Sequence, residues 1–130
     1  MQFKNLTILY VEDDMDTQLL MESILQESFK KVFVASDGEE GLALYQTTQP
    51  DIVLSDIHMP KMDGLSMSAA IKEINPTQLI ALFTAFNESE HLDKAAKLGI
   101  DTYIMKPLDK QQFFNSLSFL ALTLDTNKRG

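Results

Sequence analysis

Thr7-Ile8-Leu9-Tyr10-Val11 followed by Glu12-Asp13-Asp14 is the stretch that decides the fold. Five consecutive residues without a charge, apolar nearly throughout, fit a strand covered on both faces, as in a parallel sheet with helices on each side. The abrupt change to three acids marks where that strand leaves the core. Two further runs share the character, Asp51–Ser55 (DIVLS) and Leu79–Phe83 (LIALF), and two shorter ones, Val32–Ala35 (VFVA) and Thr102–Met105 (TYIM), complete a set of five. Between them lie helically spaced apolar residues. Leu20, Met21, Ile24, Leu25 and Phe29 fall on one arc; other stretches centre on Leu42–Tyr45, on Met67, Ile71 and Ile74, on Leu92, Ala95 and Ala96, and on Phe113, Leu117, Leu120 and Leu124. Asp37-Gly38 and Asp63-Gly64 read as helix openings, Asn75-Pro76 as a helix end and Gly99 as a stop. Strands alternating with helices, with no hairpin signal, predict a doubly wound α/β fold with a five-stranded parallel sheet and five helices.

The chain has 130 residues, enough for one domain with its own core. There is no cysteine, so neither a disulfide framework nor a thiolate metal site is expected. Eleven basic against nineteen acidic side chains give a net charge of −8, which argues against direct binding to nucleic acid or an anionic membrane. No apolar run reaches the length of a membrane span, and the first residues lack a signal-peptide layout. The expectation is a soluble, cytoplasmic domain over residues 1–124, with 125–130 (DTNKRG) as a tail or the start of a linker.

In such a sheet, ligands bind beyond the carboxyl ends of the strands, where strand order reverses. Glu12 and Asp13 follow strand 1, Asp56 strand 3, Thr84 strand 4 and Lys106 strand 5, while strand 2 offers little. With strand 2 at an edge, the other four ends are contiguous. Three clustered carboxylates are unfavourable unless compensated; Lys106 and one divalent cation would offset them. Oxygen-only ligands favour a hard cation such as Mg²⁺. That set suits phosphoryl transfer, with Asp56 as nucleophile and Thr84 and Lys106 on the phosphoryl oxygens.

Taken singly, several of these residues have ordinary readings. Acids at a helix start meet the macrodipole, the role given to Asp14 and Asp16. A threonine ending a strand bonds local backbone, and a lysine at a strand end is usually a surface residue. Together they closely resemble the receiver domain of two-component response regulators, chemotaxis regulators included. The matching elements are Val11-Glu12-Asp13, Asp56-Ile57-His58-Met59-Pro60 with Asp63-Gly64, Thr84-Ala85, and Tyr103 followed by Lys106-Pro107.

The resemblance implies a flavodoxin-like sheet of order 2-1-3-4-5 and a signalling switch that is not a turnover enzyme. Asp56 would accept a phosphoryl group from a histidine kinase or phosphotransfer protein. Glu12, Asp13, Asp56 and the backbone carbonyl of His58 would hold Mg²⁺, and Thr84 and Tyr103 would form the switch. Met15, Leu19, Pro107 and Leu108 are expected to form an apolar docking patch, and Phe119 and Leu122 a dimer or output contact near helix 4, strand 5 and helix 5. An aspartyl-nucleophile phosphatase is disfavoured by His58 standing where a second acid is wanted. A flavin module is disfavoured by acids where a phosphate cradle is needed, and a receiver-like module that no longer takes phosphate by every site position being filled.

Overall fold

The computed structural model describes residues 3–84, 89–100 and 102–105, with the backbone alone at 84, 89–92 and 105, together with Gln111, Phe114, Asn115 and Ser118, which are helical. Along the chain run β1 (Phe3–Val11), α1 (Met15–Ser28), β2 (Phe29–Ala35), α2 (Gly38–Thr48), β3 (Ile52–Asp56), α3 (Gly64–Ile74), β4 (Leu79–Thr84), α4 (Ser89–Lys97) and β5 (Thr102–Met105). The strands form one parallel sheet of order β2-β1-β3-β4-β5, as expected. Four of the five expected helices stand among the described residues; the stripe Phe113, Leu117, Leu120 and Leu124 lies outside them.

Side-chain alternation along the strands divides the core in two. Ile8, Tyr10, Ile52, Leu54, Ala81 and Phe83 pack with Met21 and Leu25 of α1 on one face. Leu9, Val11, Val53, Ile80 and Leu82 pack with Tyr45, Met67, Ile71 and Ala95 of the other helices on the opposite face. The middles of the central strands, residues 8–11, 52–54 and 79–83, are therefore apolar because both of their faces are covered.

Helix starts follow the expected chemistry. Asp14, Asp37 and Asp63 each cap a helix by accepting from the amide three residues on, at 2.9, 2.9 and 2.7 Å. Asn75 caps the end of α3, and Gly99, at φ 86°, follows α4.

Two local expectations need correction. Strands β1 and β2 begin earlier than the apolar runs suggested, at Phe3 and Phe29, whose rings stack at 4.8 Å. Phe29 thus belongs to β2 rather than to the helical arc; its backbone is extended and α1 stops at Ser28. Leu20 is also not on the buried arc, being 61% exposed. The arc runs instead through Gln18, Met21, Leu25 and Ser28, because a polar side chain with partners at the strand ends faces inward and turns Leu20 to solvent.

At the N-terminal end of the sheet, buried Tyr45 donates its hydroxyl to Gln78 Oε1 at 2.8 Å, and Gln78 Nε2 donates to the carbonyl of Asp51 at 3.0 Å. Burial pushes the Tyr45 hydroxyl above its ordinary value. Below about pH 10 tyrosine is protonated folded or unfolded, so the shift has no effect there. Above it the unfolded chain releases the proton first, and stability falls by up to about 1.4 kcal/mol per pH unit. Tyr45→Phe is expected to lose about 1 kcal/mol at neutral pH, the net worth of the bond, and to show a shallower alkaline decline. Urea midpoints measured from pH 9 to 11 check this; parallel declines would refute it.

Candidate divalent-cation and phosphoacceptor site

Parallel register builds the site. Val11 pairs with Ser55, so Glu12 and Asp56 emerge side by side, one residue further along two adjacent strands. Ile8, Tyr10 and Glu12 share a face by the two-residue period, and Ile52, Leu54 and Asp56 share the same one. Glu12 is 3% and Asp56 8% exposed, whereas Asp13 reaches out to solvent. One carboxylate oxygen from each of Glu12, Asp13 and Asp56 lies within 4.8 Å of the other two. Asp56 pairs with Phe83 of β4, and Thr84 in turn pairs with Met105 of β5.

The surroundings fix these acids differently. The Asp56 carboxylate accepts from the amide of Ile57 at 2.9 Å, and Ser55 Oγ donates to the Asp56 carbonyl at 2.7 Å. Glu12 accepts from the amide of Asp14 at 3.1 Å and, at a long 3.4 Å, from the hydroxyl of fully buried Tyr10. Burial, and after it the negative charges of Glu12 and Asp56, push the Tyr10 hydroxyl far above its ordinary value, so it remains a donor. Asp14 is committed elsewhere. The hydroxyl and amide of Thr17 hold its carboxyl below the usual value, in the cap of α1 rather than in the acidic cluster.

The loop after β3 is tied down at three points. Gly64 N–H donates to the Ile57 carbonyl at 2.7 Å, Met62 N–H to Pro60 at 2.7 Å, and Gly38 N–H at the start of α2 to Met62 at 3.0 Å. Lys61, at φ 67°, reaches Asp37 at 3.8 Å. His58 sits on this loop with its ring exposed.

Of the expected site residues, Glu12, Asp13 and Asp56 are brought together. Thr84 ends β4 with its side chain outside the described part; Lys106, Pro107, Leu108, Phe119 and Leu122 lie outside the described residues. Tyr103 is half-buried on β5, its hydroxyl donating to the Ile100 carbonyl. Met15 and Leu19 are 60% and 56% exposed, and Leu20 joins them on the open side of α1. Sequence reading missed Tyr10 and Gln18. The available signals were a hydroxyl two residues before an acid in a buried strand, and an amide in line with Met21 and Leu25 on a helix.

A cavity of about 590 Å³ opens at the opposite end of the sheet, between the ends of α2 and α3. Its one charged lining residue is Asp51, whose carboxylate accepts from the Thr7 amide at 2.9 Å, so its chemistry differs from that of the acidic cluster.

A doubly wound sheet with acids converging beyond β1 and β3 places, at the topological switch point where such folds bind ligands, a cluster that could hold a hard cation. The chain belongs to the response regulator receiver domain family, whose model matches residues 8–118. It is 34% identical over 111 residues to the chemotaxis protein CheY of Halobacterium salinarum, covering 85% of this chain and 92% of that protein. It is likewise 34% identical over 120 residues to the transcriptional regulatory protein ZraR of Salmonella typhimurium, spanning 92% of this chain but 27% of that longer protein. The N-terminal domain of a Wolinella succinogenes protein superposes with a TM-score of 0.86 at 33% identity, covering 94% of this chain and 98% of that one. The family is a signalling family of two-component systems. No helix among the described residues is long and apolar enough to cross a membrane.

Proposed function

We propose that the protein is a cytoplasmic, phosphorylation-activated switch that takes a phosphoryl group on Asp56 from a histidine kinase or a histidine phosphotransfer protein. The convergence of Glu12, Asp13 and Asp56 oxygens within 4.8 Å carries the reading. Oxygens around an octahedral Mg²⁺ stand about 3–4 Å apart, so small side-chain rotations or one intervening water bring this set to a fit. Glu12, Asp13 and Asp56, with the His58 carbonyl, would hold the ion. Bound there, Mg²⁺ would neutralise charge on the transferring phosphoryl group.

The chain's own groups supply the rest. A carboxylate oxygen of Asp56 attacks phosphorus; the new O–P bond forms as the donor's bond to phosphorus breaks and its leaving group departs. The Ile57 amide holds the other Asp56 oxygen at 2.9 Å and orients the attack. Thr84 and Lys106 would take the phosphoryl oxygens. Phosphorylation then biases a two-state equilibrium, which Tyr103 would read by leaving the Ile100 carbonyl. Giving up that bond costs about 0.5–1.5 kcal/mol, small enough for a new charge nearby to offset. The domain is one phosphoacceptor over residues 1–124, with 125–130 as tail or linker, and it catalyses its own loading and unloading without being a turnover enzyme.

Exposed Met15 and Leu19 beside the acidic cluster support a docking patch, completed by Pro107 and Leu108, for the phosphohistidine donor. Phe119 and Leu122 are proposed to make a homodimer or output contact.

Incubation with acetyl phosphate and Mg²⁺ is expected to add one phosphoryl mass, with loading lost on chelation and restored by Mg²⁺. An unchanged mass under all conditions refutes the function. With a phosphohistidine donor, Leu19→Glu is expected to slow loading while leaving acetyl phosphate loading intact; equal rates remove the patch. Sedimentation of the beryllofluoride-bound form against Phe119→Ser reads the second surface, and two identical monomers remove it.

A further inference from the structure

Gln18 is the polar residue at the centre of the buried arc of α1, 8% exposed among Met21, Leu25 and Ser28. An amide facing a core is costly unless its hydrogen bonds are made. Here they are made at one place. Nε2 of Gln18 donates to the Glu12 carbonyl at 2.9 Å, to the Ala35 carbonyl at 3.2 Å and toward Ser36 Oγ at 3.2 Å. These carbonyls lie at the C-terminal ends of β1 and β2. The Ala35 carbonyl also receives the Glu12 amide at 3.0 Å, so the backbone of Glu12 is held at both its N–H and its C=O.

The Glu12 carbonyl belongs to the peptide unit that leads into Asp13. A planar peptide fixes the direction in which the next Cα, and hence its side chain, departs. Asp13 is the exposed member of the cluster and has no buried wall of its own to orient it. We propose that Gln18 is a positioning residue for the divalent-cation site: by fixing the peptide plane between Glu12 and Asp13, it sets the angle at which Asp13 presents its carboxylate. The inference rests on the reading of Glu12 and Asp13 as cation ligands. It also explains why α1 is rotated to bury Gln18 and leave Leu20 in solvent.

The test is Mn²⁺ binding, by calorimetry, to the wild type, to Gln18→Met and to Ile71→Val. Methionine keeps the length and bulk of the side chain and removes its donors. Ile71→Val trims a fully buried side chain on α3, on the other face of the sheet, and controls for loss of stability. Gln18→Met is expected to bind about tenfold more weakly, the usual scale for a group that orients a ligand, with Ile71→Val unchanged. Binding by Gln18→Met within about twofold of the wild type, or equal weakening in both variants, overturns the role of Gln18 alone. A wild type that does not bind Mn²⁺ overturns the cation site and the inference with it. Should Gln18→Met not fold, the wild type still decides. Its Gln18 side-chain amide resonances should move on Mg²⁺ titration with the same midpoint as the Asp13 amide, and unmoved resonances overturn the proposal.

Discussion

Asp56→Asn is expected to stay folded and to take up no phosphate from acetyl phosphate and Mg²⁺, its mass remaining that of the untreated chain. The choice of asparagine matters. Asp56 is 8% exposed and accepts from the buried Ile57 amide at 2.9 Å. An asparagine carbonyl keeps that acceptor in the same shape, so melting should change by only a few degrees. Alanine would strand the donor, at a cost of about 1–3 kcal/mol, and would confuse loss of a nucleophile with loss of structure. The amide removes the nucleophilic oxygen, and with it one negative charge of the acidic cluster, while leaving the fold in place. Loading should therefore fall to the level of a protein with no acceptor. Residual phosphate mapped to Asp13, the solvent-facing acid of the cluster, would move the acceptor and refute the assignment of Asp56. A variant that loads like the wild type would remove the acidic cluster from the chemistry altogether.

The parts of this molecule that could be read from the sequence are those where one physical rule acts alone. β1, β3 and β4 were legible because burial on both faces leaves an unbroken apolar run in the middle of each strand. Asp37 and Asp63 were legible as helix openings because the short carboxylate has one favoured partner, the amide three residues on. Glu12, Asp13 and Asp56 were legible because strand ends in a parallel sheet converge, and register does the rest. The errors came where two rules compete. Leu20 is more apolar than Gln18, so pattern reading places it inside; the bonds that Gln18 Nε2 gives to the carbonyls of Glu12 and Ala35 reverse that choice. Phe29 continues the helical spacing of α1, yet its ring stacks on Phe3 and so starts a strand. Such outcomes depend on partners far away in the chain, which no local window contains. The tie between the loop after β3 and α2, from Gly38 N–H to the Met62 carbonyl, was hidden for the same reason.

That tertiary closeness makes Gly64→Ala the substitution with the largest expected loss of stability. A Cβ at Gly64 would stand 2.2 Å from the Asp56 carbonyl oxygen and 3.0 Å from the Ile57 Cα, both backbone atoms. The strand cannot yield easily, since β3 is paired with β1 on one side and β4 on the other. Helix α3 cannot withdraw without breaking the 2.7 Å bond from Gly64 N–H to the Ile57 carbonyl. Inserting a methyl group into an ordinary packed core costs about 1–3 kcal/mol; here the obstacle is paired backbone, so about 3 kcal/mol or more is expected. For a chain of this length that lowers the melting temperature by roughly 10 °C. Gly38→Ala places its Cβ equally close, 2.2 Å from the Met62 carbonyl, but Met62 is held by single loop hydrogen bonds rather than in a strand paired on both sides, so stability should fall less. Gly99→Ala meets nothing within 4 Å among the described residues, leaving the strain of φ 86°, about 1 kcal/mol. Urea denaturation of the three variants should therefore rank Gly64 well above Gly38, and Gly38 above Gly99. If Gly64→Ala cost no more than Gly99→Ala, the junction between β3 and α3 would be looser than its geometry requires, and the rigid presentation of Asp56 would lose its structural basis.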